Sequence, residues 1–169
     1  GLEYQAAYRS LNNGVCVCQN ITDEAGNTLF PWKLHTMKNG LRVGIVGIVT
    51  DYVNIWEKEE NLKGIHITDP FEAAKNALAQ MKEQTDLTIC IYHGGFECDL
   101  ESGETLSQTT ENVGYRICKE LDFDILLTGH QHMSVPGRDI SGTYTVQPCD
   151  NAKEYQYLEV TMTDNEKSI

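Results

Sequence analysis

Two short apolar runs, residues 86–92 and 123–128, constrain this chain more than any other feature of its 169 residues. Each is bounded by turn-forming residues and is continuous enough to be buried on both faces, the pattern of a strand inside a parallel sheet. A polar loop and a helical stretch separate them. Strand, loop, helix and strand in that order make a βαβ crossover, with parallel strands and a right-handed connection. Both carboxyl ends then point the same way, and sites in open α/β sheets form just outside those ends.

Histidines stand at both ends. Tyr92-His93-Gly94-Gly95 closes the first run and Gly129-His130-Gln131-His132 follows the second. One sheet edge is therefore expected to gather three imidazoles, and neutral imidazole is the commonest side-chain ligand for transition metals. His93, His130 and His132 are the candidate metal ligands. Gly94, Gly95 and Gly129 are expected to let backbone approach an ion closely. In an extended loop, side chains at i and i+2 diverge, so His130 and His132 are expected to serve two neighbouring ions. His35 and His66 lack such company and are expected to be ordinary hydrogen-bonded residues. Glu97, Asp99, Glu101 and Glu104, in the loop after His93, are expected to form a solvated flap.

The rest of the chain is read from periodicity and turn chemistry. Residues 2–11 carry Leu2, Ala6, Ala7 and Leu11 near helical spacing, stopped by Asn12-Asn13-Gly14. Residues 15–21 read as a strand. Residues 32–37 alternate towards Asn39-Gly40, a hairpin signal, and residues 41–49 return as a central strand. Residues 61–67 read as irregular. Asp69-Pro70-Phe71-Glu72 opens a helix, with Asp69 as cap, Pro70 at the first helical position, and Phe71, Ala74, Leu78 and Met81 on one face. A second helix is expected to begin near residues 109–112 and to carry Val113, Ile117 and Leu121. Val135-Pro136-Gly137 reads as a chain break, residues 143–147 and 155–162 as final strands, and residues 163–169 as a polar tail. The whole is expected to be a single α/β domain spanning residues 1–169.

Acidic residues outnumber basic ones by 25 to 13, a formal net charge of -12. Nucleic-acid binding through a basic footprint is thereby disfavoured, and a phosphate ester handled by such a chain would need local positive charge, which divalent cations supply. No stretch approaches the roughly 20 apolar residues of a membrane span. Of the six cysteines, Cys90 and Cys118 fall on core faces, which favours free buried thiols and a cytoplasmic setting, with a secreted or cell-wall protein as the alternative. Cys16 and Cys18 read as one face of a strand, and a redox protein is disfavoured by the lack of any Cys-x-x-Cys.

Several motifs together carry a family resemblance. They are Ile55-Trp56 with Asn61-Leu62, Tyr92-His93-Gly94-Gly95-Phe96-Glu97, Glu111-Asn112, Thr128-Gly129-His130-Gln131-His132, and Gln147-Pro148. Over residues 41–62, 69–100 and 111–148 the chain resembles the calcineurin-like metallophosphoesterases, in the branch of 5'-nucleotidases and 2',3'-cyclic-nucleotide 2'-phosphodiesterases. The resemblance implies a layered sandwich of mixed sheets flanked by helices. It also implies two divalent ions, drawn from Mn, Zn, Fe or Co, about 3.5 to 4 Å apart. His93 and His130 would bind one and His132 the other, and nucleotides would be hydrolysed in line by a metal-bridging hydroxide.

The chain also departs from that family's pattern. Asp-x-His, the Gly-Asp that bridges the ions, and Gly-Asn-His-Glu are absent from the 169 residues. The stretch Gly1-Leu2-Glu3-Tyr4 resembles the helix that follows Gly-Asn-His-Glu. The expectation is thus the carboxyl-terminal part of a catalytic domain, holding at most one ion weakly and inactive or nearly so by itself. No catalytic residue is assigned, the substrate-binding residues are unknown, and two copies are expected to pair through an exposed sheet edge. The alternative is a non-catalytic metal-binding half-domain built on a three-histidine site.

Overall fold

The run Arg42–Val49 is apolar at nearly every position, and it forms an interior strand of a six-stranded sheet in a computed structural model that describes residues 6–8, 10–11, 14–163 and 167–169. We number the strands β1 (Cys18–Thr22), β2 (Thr28–Phe30), β3 (Lys33–Thr36), β4 (Arg42–Val49), β5 (His66–Ile67), β6 (Leu87–His93), β7 (Ile125–Leu127), β8 (Val135–Ile140), β9 (Thr143–Gln147), β10 (Thr161–Met162) and β11 (Lys167–Ser168). The helices are α1 (Val53–Trp56), α2 (Pro70–Met81) and α3 (Gly114–Glu120), with a 3-10 turn at Glu59–Asn61. The large sheet has the order β3-β4-β6-β7-β9-β8, and a small sheet has the order β2-β1-β5.

The expected βαβ crossover is present. β6 and β7 run parallel, with Ile89 opposite Ile125 and Ile91 opposite Leu127. β4 lies parallel on the other side of β6, pairing Val43 with Leu87 and Val49 with His93. Three parallel strands therefore end together, and β9, parallel to β7, adds a fourth. The β3–β4 hairpin is antiparallel and turns through Gly40, whose φ of 89° suits glycine.

Alternation along the strands separates two faces. Val46, Ile48, Cys90, Tyr92 and Leu126 point to the side covered by α2 and α3 and form the main core with Phe71, Met81 and Ile117. Val43, Leu87 and Ile125 point to the other side and meet Leu158, Val160, Met162 and Ile169. Helix α2 forms as its sequence suggests: the Asp69 side chain accepts from Glu72 N at 2.9 Å, Pro70 opens the first turn, and Phe71, Ala74, Leu78 and Met81 are buried. Each large apolar side chain buried there contributes about 1.5 to 3 kcal/mol relative to exposure. Buried Asn20 ties the small sheet to β4, donating to Val49 O at 2.7 Å and accepting from Val49 N at 3.0 Å.

The structure corrects several expectations. Val135-Pro136-Gly137 does not end the chain's order but opens β8, an edge strand with a register shift between Val135 and Arg138, where proline loses no needed hydrogen bond. Residues 155–160 are not a strand; only Thr161–Met162 is, paired with Lys167–Ser168 in what had read as a tail. Lys167 also reaches Asp124 at 2.8 Å. Strand β1 begins at Cys18 rather than residue 15, α3 begins at Gly114 rather than near residue 109, and residues 61–67 contain β5. Of the helix expected over residues 2–11, residues 6–8, 10 and 11 are helical and exposed; the rest lies outside the described residues. None of the six cysteines is in a disulfide, and Cys90 and Cys118 are buried. Among the described residues no helix is long and apolar enough to cross a membrane.

Candidate metal centre

The parallel strands deliver the three histidines to one place. His93 is the last residue of β6, and its carbonyl accepts from Thr50 N at 3.0 Å, just past the end of β4. His130 and His132 follow β7 on a loop fixed at its start by Thr128 N and Oγ1, both donating to Val146 O on β9. Gly129 N then donates to Gly94 O at 3.1 Å, so the two histidine loops touch through backbone. The His93 and His130 ring centroids lie 5.3 Å apart at 60°. His93, His130 and His132 line one cavity of about 330 Å³ with Pro148, Cys149 and Asp150.

The loop is not extended. His130 and His132 have φ of 73° and 55°, the left-handed region that non-glycine residues enter at a cost of order 1 kcal/mol each. The premise that their side chains diverge from an extended backbone is therefore not met, and both face the cavity that His93 faces. What offsets the strain is a latch at Gln131. Its Nε2 donates to Phe96 O at 2.9 Å and its Oε1 accepts from Phe96 N at 2.8 Å, a two-bond clasp on the loop after β6.

Packing within the site calls for glycine at positions 94 and 95. A Cβ at Gly94 would collide with the Tyr92 ring and one at Gly95 with the Gln131 side chain. They make room for the site's own side chains. The acidic loop is likewise not all flap. Glu97 is half-buried and accepts from Tyr115 N at 3.0 Å and Arg116 N at 2.7 Å at the start of α3, and burial pushes its carboxyl above the usual value. Asp99 accepts from Ser102 N and Oγ and from Glu101 N, closing its own turn. Glu97 and Asp99 are thus engaged in holding the loop. His35 and His66 sit in exposed positions on β3 and β5, away from the three.

At His93 the surroundings favour the neutral imidazole. Burial first, then the neighbouring His130 and His132, hold His93 below the ordinary histidine value. A neutral ring keeps a lone pair for a cation at neutral pH. Three imidazoles lining one cavity make a donor set of the kind a borderline divalent ion takes. It is not a closed shell as it stands: among the described residues no group of three or more His, Cys, Asp or Glu side chains is already arranged around an ion position.

Two neighbours of His130 were not assigned roles from sequence. Glu111 Oε1 lies 2.9 Å from His130 Nε2, and the Trp56 ring stacks on His130 at 5.2 Å and 27°. Both belong to segments that carry the family resemblance, yet neither periodicity nor spacing says that they meet a histidine 19 and 74 residues away. Asn112, next to Glu111, accepts from Gly95 N at 2.6 Å and so joins the two halves of the site.

No protein-family model matches the chain. Individual proteins do. It is 29% identical over 103 residues to the 2',3'-cyclic-nucleotide 2'-phosphodiesterase/3'-nucleotidase of Salmonella typhimurium, covering 60% of this chain and 15% of that protein. A solved structure from Staphylococcus aureus, assigned as a 5'-nucleotidase, superposes with a TM-score of 0.79 at 32% identity over 88% of this chain and 30% of that one. The chain is related to the 5'-nucleotidase branch of the calcineurin-like metallophosphoesterases. The calcineurin-like phosphoesterase YfkN of Bacillus subtilis, at 22% identity and a TM-score of 0.70 over 90% of this chain and 52% of that one, shares the fold. The mixed sheet flanked by helices is that family's architecture, and the family's name implies divalent metals in general. The chain spans under a third of the length of the Salmonella and Staphylococcus proteins.

Proposed function

We propose that this chain is the carboxyl-terminal part of the catalytic domain of a metal-dependent phosphoric ester hydrolase acting on nucleotides, of the 5'-nucleotidase or 2',3'-cyclic-nucleotide phosphodiesterase type. The observation that carries the reading is the meeting of His93, His130 and His132 at the ends of neighbouring parallel strands, around one cavity, in a chain whose relatives are phosphoesterases. In this reading the three are metal ligands. A divalent ion held there polarises a phosphoryl group and makes water a nucleophile at neutral pH. The protein's part is to keep three imidazoles on a rigid sheet edge, with Gln131 clamping the loop that bears two of them.

The complete domain binds two ions in this account and the 169 residues by themselves at most one, weakly, because the bridging carboxylate motif is not among them. The chain alone is then inactive. Free, buried Cys90 and Cys118 support a reducing, cytoplasmic setting, and the open edge at β3, exposed at all four residues, supports pairing of two copies. Phosphate release from 5'-AMP and ring opening of 2',3'-cyclic AMP to 3'-AMP, each with manganese, test the function. The complete domain is expected to hydrolyse at least one and to lose this on His130→Ala, while the chain alone hydrolyses neither. Manganese-dependent turnover by the chain alone, abolished by His130→Ala, overturns the claim of inactivity; no hydrolysis by the complete domain overturns the reading as a whole.

A further inference from the structure

His130 is gripped more firmly than its two companions. On one side of the ring Nε2 meets Glu111 Oε1 at 2.9 Å, and that pair is largely shielded, with the His130 and Glu111 side chains 19% and 31% exposed. Against one ring face lies Trp56, nearly parallel at 27°. His93 stands edge-on at 5.3 Å. An exposed charge pair formed by chance would leave its partners free to move, but here each partner is itself pinned. Glu111 O accepts from the Tyr92 hydroxyl at 3.1 Å, and Asn112 Oδ1 accepts from Gly95 N, so segment 111–112 is stapled to the end of β6. Trp56 is packed edge-to-face against Tyr52 at 5.7 Å, and its helix is held by Asn54 Nδ2 donating to Ile67 O at 2.9 Å.

We propose that Glu111 and Trp56 are positioning residues for His130, acting through that imidazole on metal binding. The chemistry follows from the two ring nitrogens. A carboxylate is an acceptor only, so a bond to Nε2 requires that Nε2 carry the proton. The lone pair of the neutral ring is then on Nδ1, which becomes the atom offered to a cation. A carboxylate bonded behind a ligating imidazole fixes tautomer and ring orientation and raises ligand basicity. Trp56 adds what the carboxylate lacks, since one hydrogen bond leaves the ring free to swing about it and a stacked indole does not.

This inference rests on His130 being a ligand, and the test separates the two ideas. The chain is labelled with nitrogen-15, and its imidazole resonances are followed during titration with zinc. In the parent chain the resonances of His93, His130 and His132 are expected to move, with His130 metallated at Nδ1 and keeping its Nε2 proton. Before any zinc is added, the ring protons of His130 are expected to be shifted upfield by the indole, and Trp56→Ala is expected to abolish that shift. Glu111→Gln is expected to weaken zinc binding by about 10-fold to 100-fold, the usual consequence of losing such a partner. Trp56→Ala is expected to weaken it several-fold, with Trp56→Phe restoring most of the loss.

If His130→Ala leaves zinc affinity unchanged, the ligand reading itself fails. If His130→Ala weakens binding but Glu111→Gln and Trp56→Ala do not, or if His130 is metallated at Nε2, the positioning roles are overturned while the ligand survives. Unchanged resonances elsewhere in each variant show that the fold is intact.

Discussion

Replacing Gln131 with alanine removes a side chain that clasps the histidine loop to the loop after β6. Two hydrogen bonds to the backbone of Phe96 are lost, at 2.8 and 2.9 Å, and Phe96 itself is buried. A made bond contributes about 1 kcal/mol net, and a buried group left without a partner costs about 1 to 3 kcal/mol. The cavity beside Gln131 and Phe96, about 270 Å³, admits water to the vacated groups, which places the cost near the lower end. We expect about 2 kcal/mol, and hence a fall in Tm of about 4 to 8 °C for a chain of this length. Urea unfolding followed by circular dichroism measures it. Gln131→Glu should lie between, because a carboxylate still accepts from Phe96 N but has no proton for Phe96 O. A Gln131→Ala variant with unchanged unfolding midpoint and unchanged zinc-induced shifts at His130 and His132 would refute the reasoning that this latch holds the loop.

Other outcomes follow from the same structure. Arg42 grips Asp86 through Nη2 at 2.5 Å and Nε at 3.1 Å, and these hydrogen bonds, more than the surrounding charge, lower the Asp86 carboxyl to about 2. A depressed folded-state value means that this contribution to stability is complete above the unfolded value near 4 and is lost as pH falls through 2. The gap in urea midpoint between the parent chain and Arg42→Gln should therefore be constant above pH 4 and narrow between pH 4 and 2; a gap of full size at pH 2 would contradict it. Leu126, fully buried between the helices and the sheet, should cost about 2 to 5 kcal/mol as Leu126→Ala, whereas exposed Leu106→Ala should change stability by under about 0.5 kcal/mol.

What was legible in the sequence is what neighbouring residues decide. Asp69-Pro70 and the spacing of Phe71, Ala74, Leu78 and Met81 specify α2 because a cap and a buried face are local properties. The apolar runs of β4, β6 and β7 announce burial on both sides, and the βαβ rule then brings His93 to the side of His130 and His132. Strand β8 escaped because Pro136 and Gly137 are breakers in an interior strand but not in an edge strand with a shifted register, and being an edge is decided by the rest of the sheet. Residues 155–160 alternate as a strand would, yet no neighbour pairs with them; Leu158 and Val160 instead lie on the second face of the sheet. The partners of His130 were hidden for the same reason. Trp56 and Glu111 stand in the sequence only as parts of motifs that carry the family resemblance, with no role of their own, until the fold carries them to the same ring.

The central claim is that His93, His130 and His132 form one site for a divalent cation. Anomalous diffraction from crystals of the chain loaded with zinc tests it most directly. The account predicts one peak inside the cavity bounded by those three rings, absent in His132→Ala. A zinc peak elsewhere, such as among Glu57, Glu59 and Glu60, with none between the histidines would contradict it.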